Sequence, residues 1–80
     1  METWTVYILR CSDGSIYTGC TSDFLQRIDA HNQGYVNYTK SRRPLVPVAW
    51  FVFNSKYKAF DFEKYLKTGS GIAFSRRHFL

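Results

Sequence analysis

The sequence predicts an α+β domain in which a three-stranded antiparallel sheet is flanked by helices. Two β-forming segments, residues 3–11 and 15–21, surround a turn and predict a hairpin. An unbroken run of β-forming residues at 48–53 predicts a third strand that lies against the hairpin. Capping residues and apolar arcs place the helices at about 23–33, 56–67 and 70–79.

The length and composition indicate one globular domain, residues 1–80, with a single core. Apolar residues make up 45% of the chain and aromatic residues 19%, well above a disordered composition. The formal charge is +5, and nine of the eleven Lys and Arg residues lie at or after Lys40. A basic half favours a polyanionic partner, most simply nucleic acid, although an ordinary soluble surface explains the same composition.

The cysteines and hydropathy predict a reduced, cytoplasmic protein that has no membrane partner. Cys11 and Cys20 form no CxxC pattern, and the sequence has neither a signal peptide nor an apolar run of membrane length. A zinc site would have to gather both cysteines with His31 and His78 from distant positions, so we do not favour one.

The register of the hairpin decides which residues share a face of the sheet. A two-residue Asp13-Gly14 turn would pair Arg10 with Tyr17. A type I turn with Gly14 as a bulge instead pairs Leu9 with Tyr17, and it also pairs Tyr7 with Gly19. We expect the second register, because only it puts Tyr7 and Tyr17 on one face.

The first helix begins after Asp23, which can form a capping box with Gln26, and Gly34 signals its end. Arg27 and His31 are four residues apart and therefore share one side of this helix, at the border of its apolar arc. We expect that buried arc to consist of Phe24, Leu25 and Ile28.

Residues 34–47 have no hydrophobic period and are expected to form a basic loop. Asn54 or Ser55 can cap the second helix, which ends near Thr68, and Ser70 can start the third. The second helix has the apolar arc Ala59, Phe60, Phe62 and Leu66. In the third helix, Arg76, Arg77 and His78 are expected to be exposed.

Glu63 is the one acidic residue that the pattern directs inward, because it falls within the apolar arc of the second helix. The other five lie at the chain start, in the turn, at a cap or on outer helix faces: Glu2, Asp13, Asp23, Asp29 and Asp61. An inward carboxylate is costly without a partner, so Glu63 either pairs with an Arg or Tyr or binds a metal. A single carboxylate suits Mg²⁺, which keeps several waters.

Four residues have ordinary structural explanations when each is taken alone. Tyr7 and Tyr17 could be core or edge aromatics, and Arg27 and His31 could lie on a solvated helix edge. Together with Glu63 they supply what phosphodiester hydrolysis needs: a cation for the developing charge, a metal ligand, and groups that accept and relay a proton. The unperturbed pKa of tyrosine is near 10, so a tyrosine base would need a nearby cation or metal.

These residues resemble the motifs of the GIY-YIG endonucleases, most closely the small stand-alone members. The first motif reads Thr5-Val6-Tyr7 and the second Tyr17-Thr18-Gly19, and the likeness extends over nearly the whole chain. Thr5 and Val6 stand where the family motif has Gly and Ile, and Thr18 stands for Ile. Cys20 takes a position where some members carry Lys, and Ser75 is near one where many carry Asn.

The resemblance implies a DNA endonuclease that uses one divalent metal, Mg²⁺ or Mn²⁺. It implies that Glu63 holds the metal, that Tyr17 is the general base or proton relay, and that Arg27 steadies the transition-state phosphate. Tyr7 and His31 would support the water and the relay, and Gly19 would allow close backbone approach.

A basic strip is expected to bind the DNA, with Tyr35 and Tyr38 available for stacking on unpaired bases. Its members are Lys40, Arg42, Arg43, Arg76 and Arg77, each of which is nearly as well explained as ordinary surface charge. A domain this small favours recognition of structured, branched or damaged DNA, or specificity supplied by a protein partner. A non-catalytic nucleic-acid-binding module and a small protein-interaction domain remain alternatives.

Overall fold

A computed structural model describes residues 2–80. The elements are β1 (Trp4–Arg10), β2 (Ile16–Thr21), α1 (Phe24–Gln33), α2 (Asn37–Lys40), β3 (Val46–Phe53), α3 (Lys56–Leu66) and α4 (Gly69–His78). The strands form one antiparallel sheet in the order β2-β1-β3. The predicted α+β architecture is therefore confirmed, with one additional short helix.

The turn between β1 and β2 sets the expected register. The Cys11 backbone N–H donates to Ser15 O at 2.8 Å, and the Gly14 N–H donates to Cys11 O at 3.0 Å. Gly14 has a φ of 84°, the left-handed conformation of a glycine bulge. As a result Tyr7 pairs with Gly19 and Leu9 pairs with Tyr17, so the two tyrosines lie on the same face.

The central strand β1 is buried on both faces of the sheet. Val6 and Ile8 pack with Ala59 and Leu66 in a core beneath α3, where Phe62 and Phe74 add partly buried rings. The alternate residue Tyr7 points to the opposite face, where its ring meets Phe24 and His31 of α1. The sheet thus separates an apolar face under α3 and α4 from an aromatic, polar face under α1.

Strand β3 begins two residues earlier than the sequence predicted. It starts at Val46, and a bulge in its pairing with β1 lies between Ile8 and Leu9, where Leu9 faces Pro47. A proline without an N–H is tolerated there because β3 is an edge strand. Trp50 and Val52, which pair with Tyr7 and Thr5 of β1, remain largely exposed.

Helix α1 begins and ends as expected, but the prediction for its buried arc was wrong in part. The Asp23 side chain accepts a hydrogen bond from the Gln26 N–H, and Gly34 ends the helix with a φ of 83°. Leu25, however, is 81% exposed, whereas His31 is 1% exposed. Positions 24, 28 and 31 face the sheet at helical spacing, which turns Leu25 to solvent.

The predicted basic loop contains the single-turn helix α2, which buries Thr39 completely. A four-residue helix has no hydrophobic period, and this explains why the sequence pattern did not indicate it. The turn of helix places Thr39 against α1.

Helices α3 and α4 meet at a close corner. Ser55 caps α3 by accepting from the Lys58 N–H, and Thr68 caps α4 by accepting from the Gly71 N–H. The expectation that Ser70 starts the last helix was therefore wrong. A Cβ on Gly71 would overlap the Tyr65 carbonyl oxygen, so the glycine permits the close crossing. No helix within residues 2–80 is both long enough and apolar enough to cross a membrane.

Candidate active site

A buried chain of polar side chains lies under α1. The Tyr7 hydroxyl oxygen is 3.0 Å from His31 Nε2, and His31 Nδ1 is 2.7 Å from Thr39 Oγ1. All three residues are almost wholly buried. Three elements distant in sequence, β1, α1 and α2, are therefore joined by hydrogen bonds in the interior.

Arg27 extends this chain to the surface. Its Nε–H donates to the Tyr7 oxygen at 3.3 Å, and the Thr39 hydroxyl donates to Val36 O at 3.5 Å. One assignment of donors and acceptors satisfies every group in this network. In it, the Tyr7 hydroxyl donates to His31 Nε2, and His31 Nδ1–H donates to Thr39. His31 is then a neutral imidazole with its proton on Nδ1.

The pKa shifts agree with that assignment. Burial raises the pKa of Tyr7 to about 12, and the neighbouring Tyr17 adds to the shift while the hydrogen bond from Arg27 opposes it. Burial, followed by the charge of Arg27, lowers the pKa of His31. Near pH 7, Tyr7 therefore keeps its proton and His31 stays neutral, so both are suited to positioning other groups.

The groups that they position are more accessible. Tyr17 is half-buried, and its ring centroid lies 4.9 Å from that of His31 and 6.2 Å from that of Tyr7. Arg27 is exposed. The buried Tyr7–His31 pair thus holds a tyrosine and an arginine side by side at the surface.

The Tyr7 ring crosses directly over Gly19. A Cβ at Gly19 would overlap the end of that ring, so no larger residue fits opposite Tyr7. The space that a glycine leaves here is filled by Tyr7 from within the domain, whereas the family resemblance implied that it admits an approaching backbone.

Glu63 lies on the other face of β2. Lys67 Nζ donates to Glu63 Oε2 at 2.9 Å, and the side chains are 56% and 22% exposed, respectively. Burial and then the charge of Glu63 raise the pKa of the Cys20 thiol, which places Glu63 beside Cys20 on the α3 side. The inward carboxylate has the partner that it needs, but this partner is a lysine one helical turn away.

A cleft of about 520 Å³ at the outer edge of β2 connects these two faces. Tyr17 and Thr18 of β2 line it together with Lys67, which follows α3. The structure therefore brings Tyr7, Tyr17, Arg27 and His31 into one cluster, of which Tyr17 lines the cleft. Glu63 is not among the residues that line the cleft, although its partner Lys67 is.

Glu63 fits a metal that takes few protein ligands. Among residues 2–80, no group of three or more His, Cys, Asp or Glu side chains is placed to hold an ion. A metal at Glu63 would complete its shell with water and substrate phosphate. This donor set suits Mg²⁺, which dehydrates reluctantly and commonly uses one or two carboxylates.

Two members of the predicted basic strip, Arg42 and Arg43, bind other residues of the domain. Arg42 Nε donates to Asp13 Oδ2 at 3.1 Å, and its guanidinium lies 4.1 Å from the Tyr38 ring centroid. Arg43 donates to the backbone oxygens of Lys40 and Asn32. These two arginines fasten the segment around α2 to the hairpin and to α1. The other three, Lys40, Arg76 and Arg77, are exposed.

Two residues of the site were not among the predicted ones. Thr39 lies in a segment without a period, so no pattern singled it out. Lys67 was detectable in principle, because a lysine four residues after a glutamate on a helix is the spacing of an ion pair.

Comparisons with known proteins agree with this geometry. The model of the GIY-YIG catalytic domain matches residues 3–72. UPF0213 proteins from the Staphylococcus aureus strains Mu3 and Mu50 are 42% identical over 69 residues, which is 85% of this chain and 84% of theirs. The solution NMR structure of a UPF0213 protein from Bacillus halodurans is 39% identical, with a TM-score of 0.61. The similarity covers 94% of this chain and 81% of the Bacillus protein. The chain belongs to the GIY-YIG catalytic domain family and has its nuclease-type fold.

Proposed function

We propose that this protein is a divalent-metal-dependent DNA endonuclease that hydrolyses phosphodiester bonds. The observation that carries the proposal is the shared cleft. Tyr17 and Lys67, the partner of Glu63, both line it. Arg27 is linked to Tyr17 by the buried Tyr7, whose hydroxyl accepts from Arg27 and whose ring lies beside that of Tyr17.

Each residue has a role that follows from its surroundings. Arg27 is exposed and presents a fixed positive charge, so it would stabilise the charge that develops on the phosphate. Tyr17 is accessible from the cleft and would accept or relay the proton of the attacking water. Tyr7 and His31 would act as positioning residues, because they are buried and keep their neutral forms near pH 7.

Glu63 would hold the metal, Mg²⁺ or Mn²⁺. The metal would act as a Lewis acid that polarises the scissile phosphate. Before a metal binds, Lys67 neutralises the half-buried carboxylate, so metal and ammonium compete for Glu63 Oε2. Lys40, Arg76 and Arg77 are free of the contacts that hold Arg42 and Arg43, and they are the better candidates for binding the DNA backbone.

The same ion pair favours one second candidate, a module of this fold that binds DNA without cutting it. Lys67 already satisfies the oxygen that the metal needs, and a pair that never opens would leave the site inactive. The two candidates differ in turnover and share the basic surface.

A cleavage panel separates the two candidates. Branched, nicked and blunt duplex DNA would be incubated with the protein and Mg²⁺ or Mn²⁺, with EDTA as the metal-free control. We expect cleavage of branched DNA that is lost in Tyr17→Phe and Arg27→Ala. Tyr57→Phe and Arg10→Ala are matched controls, because both side chains are exposed and lie outside the cluster. Salt-sensitive binding without cleavage would select the second candidate. The absence of both binding and cleavage would contradict both candidates.

A further inference from the structure

The cleft beside Tyr17 has a composition that the proposed hydrolysis does not explain. Its floor is apolar, and Ile8, Ile16 and Leu66 form it beneath the β2 edge. Its walls include Tyr38, Ile72 and Leu80, which are large apolar side chains that the fold leaves about 40% exposed. Exposed apolar residues that gather around one concavity indicate a binding site for an apolar group.

The charges at the rim indicate that the ligand is also anionic. Lys67 and Arg76 both line the cleft, and the described residues that line it include no side-chain carboxylate. Lys67 is paired with Glu63, so Arg76 supplies the uncompensated positive charge. The volume of about 520 Å³ lies within the roughly 300–1,000 Å³ that is usual for small-ligand sites. A ligand that suits the cleft therefore combines an apolar group with a neighbouring negative charge.

We propose that this cleft binds one unpaired nucleobase of the DNA strand, with the adjoining phosphate at Lys67 and Arg76. The inference rests on the proposed function only for the identity of the polymer. Among amphipathic anions, a nucleotide is the favoured ligand because Tyr17 belongs both to the cleft and to the proposed catalytic cluster. A base inserted beside Tyr17 brings its own phosphate to the edge of the site.

The two tyrosines that line the cleft, Tyr17 and Tyr38, offer the fixed aromatic surface that base binding requires. The Tyr38 ring centroid lies 5.5 Å from that of Tyr17. Arg42 holds Tyr38 in place through the guanidinium over its ring and a hydrogen bond to its backbone oxygen. Stacking on a fixed aromatic side chain tolerates any base, so the cleft would select an unpaired nucleotide rather than a particular sequence.

A metal-free binding assay on the full chain tests this proposal. Fluorescence anisotropy in EDTA would compare a labelled oligothymidylate with a labelled blunt duplex that has the same number of phosphates. Ile72→Ser removes an apolar wall without changing charge, and we expect about a five- to tenfold loss of affinity for the single strand only. Leu25→Ser is the matched control, because Leu25 is an exposed aliphatic residue outside the cleft, and it should change neither affinity.

A second variant guards against an effect on folding. Leu80→Ser alters a second apolar residue that lines the cleft and lies outside every helix and strand, and it should reproduce the selective loss. Arg76→Gln should weaken both DNAs by a similar factor, because it removes a phosphate contact. Equal effects of Ile72→Ser and Leu80→Ser on the two DNAs, or no effect, would overturn the base site. Because EDTA prevents turnover, this result is independent of whether the protein cuts DNA.

Discussion

The Tyr7 hydroxyl oxygen lies 3.0 Å from His31 Nε2, and both side chains are at most 1% exposed. The hydroxyl also accepts from Arg27, so it joins the interior of the domain to the candidate active site. Removing one oxygen atom should therefore affect both stability and activity.

Tyr7→Phe removes that hydroxyl and keeps the ring. It leaves His31 Nε2 buried without a donor, and we expect a loss of about 1–3 kcal/mol in the free energy of unfolding. Urea denaturation measures this loss. Tyr57→Phe, at an exposed position on α3, should have no effect, and equal stabilities of the two variants would contradict the buried hydrogen-bond chain.

The stability of the protein should fall in acid because of His31. Its pKa is lowered in the folded state, so below the ordinary value of 6.5 the unfolded chain binds a proton that the folded protein does not. The contribution is present above pH 6.5 and is lost progressively as the pH falls toward the folded pKa. Urea midpoints measured across this range should fall with pH, and His31→Gln should flatten the dependence. His78→Gln, which replaces the exposed histidine, is the control variant for this measurement.

Gly19→Ala should destabilise the domain more than Gly69→Ala does. The new methyl group overlaps the buried Tyr7 ring, and overpacking of this kind costs about 1–3 kcal/mol. Gly69→Ala is the control, because nothing lies within 4 Å of its Cβ position. Thermal unfolding measures the stability of the two variants. A Gly19→Ala variant as stable as Gly69→Ala would contradict the packing of Tyr7 on Gly19.

Lys67 should set the metal requirement of the proposed hydrolysis. Removing its charge in Lys67→Met frees Glu63 Oε2, and we expect the Mg²⁺ concentration for half-maximal cleavage to fall about two- to fivefold, the worth of a partly exposed ion pair. Lys67→Arg keeps the charge and should keep the requirement. A higher Mg²⁺ requirement in Lys67→Met would contradict competition for Glu63.

The hairpin half of the site was predictable because local rules specify it. The Ser12–Ser15 turn has a glycine where a left-handed residue is needed, and this fixes the register that pairs Leu9 with Tyr17. Asp23 and Gly34 bound α1 by capping chemistry alone. These features depend on residues a few positions apart, which a single sequence displays.

The rest of the site depends on contacts that no local pattern encodes. His31 is polar and lies at the edge of an apolar arc, yet it is buried because Tyr7 and Thr39, from other elements, satisfy both ring nitrogens. Leu25 fits the apolar pattern but points to solvent, because the sheet lies on the other side of α1. Lys67 is the exception, because its spacing of four residues from Glu63 is a local pattern that indicates an ion pair.

Glu63 is the residue on which the proposed metal-dependent hydrolysis depends most. Glu63→Ala would be compared with Asp61→Ala, which removes an exposed carboxylate from the same helix. Cleavage of branched DNA in Mg²⁺ and binding of the same DNA in EDTA would be measured for both. We expect Glu63→Ala to bind DNA at least as tightly as the wild type and to lose cleavage by at least about a hundredfold, a typical loss when an electrostatic catalytic group is removed, while Asp61→Ala keeps both. Cleavage that survives in purified Glu63→Ala would contradict the assignment of Glu63 as the metal ligand of a nuclease.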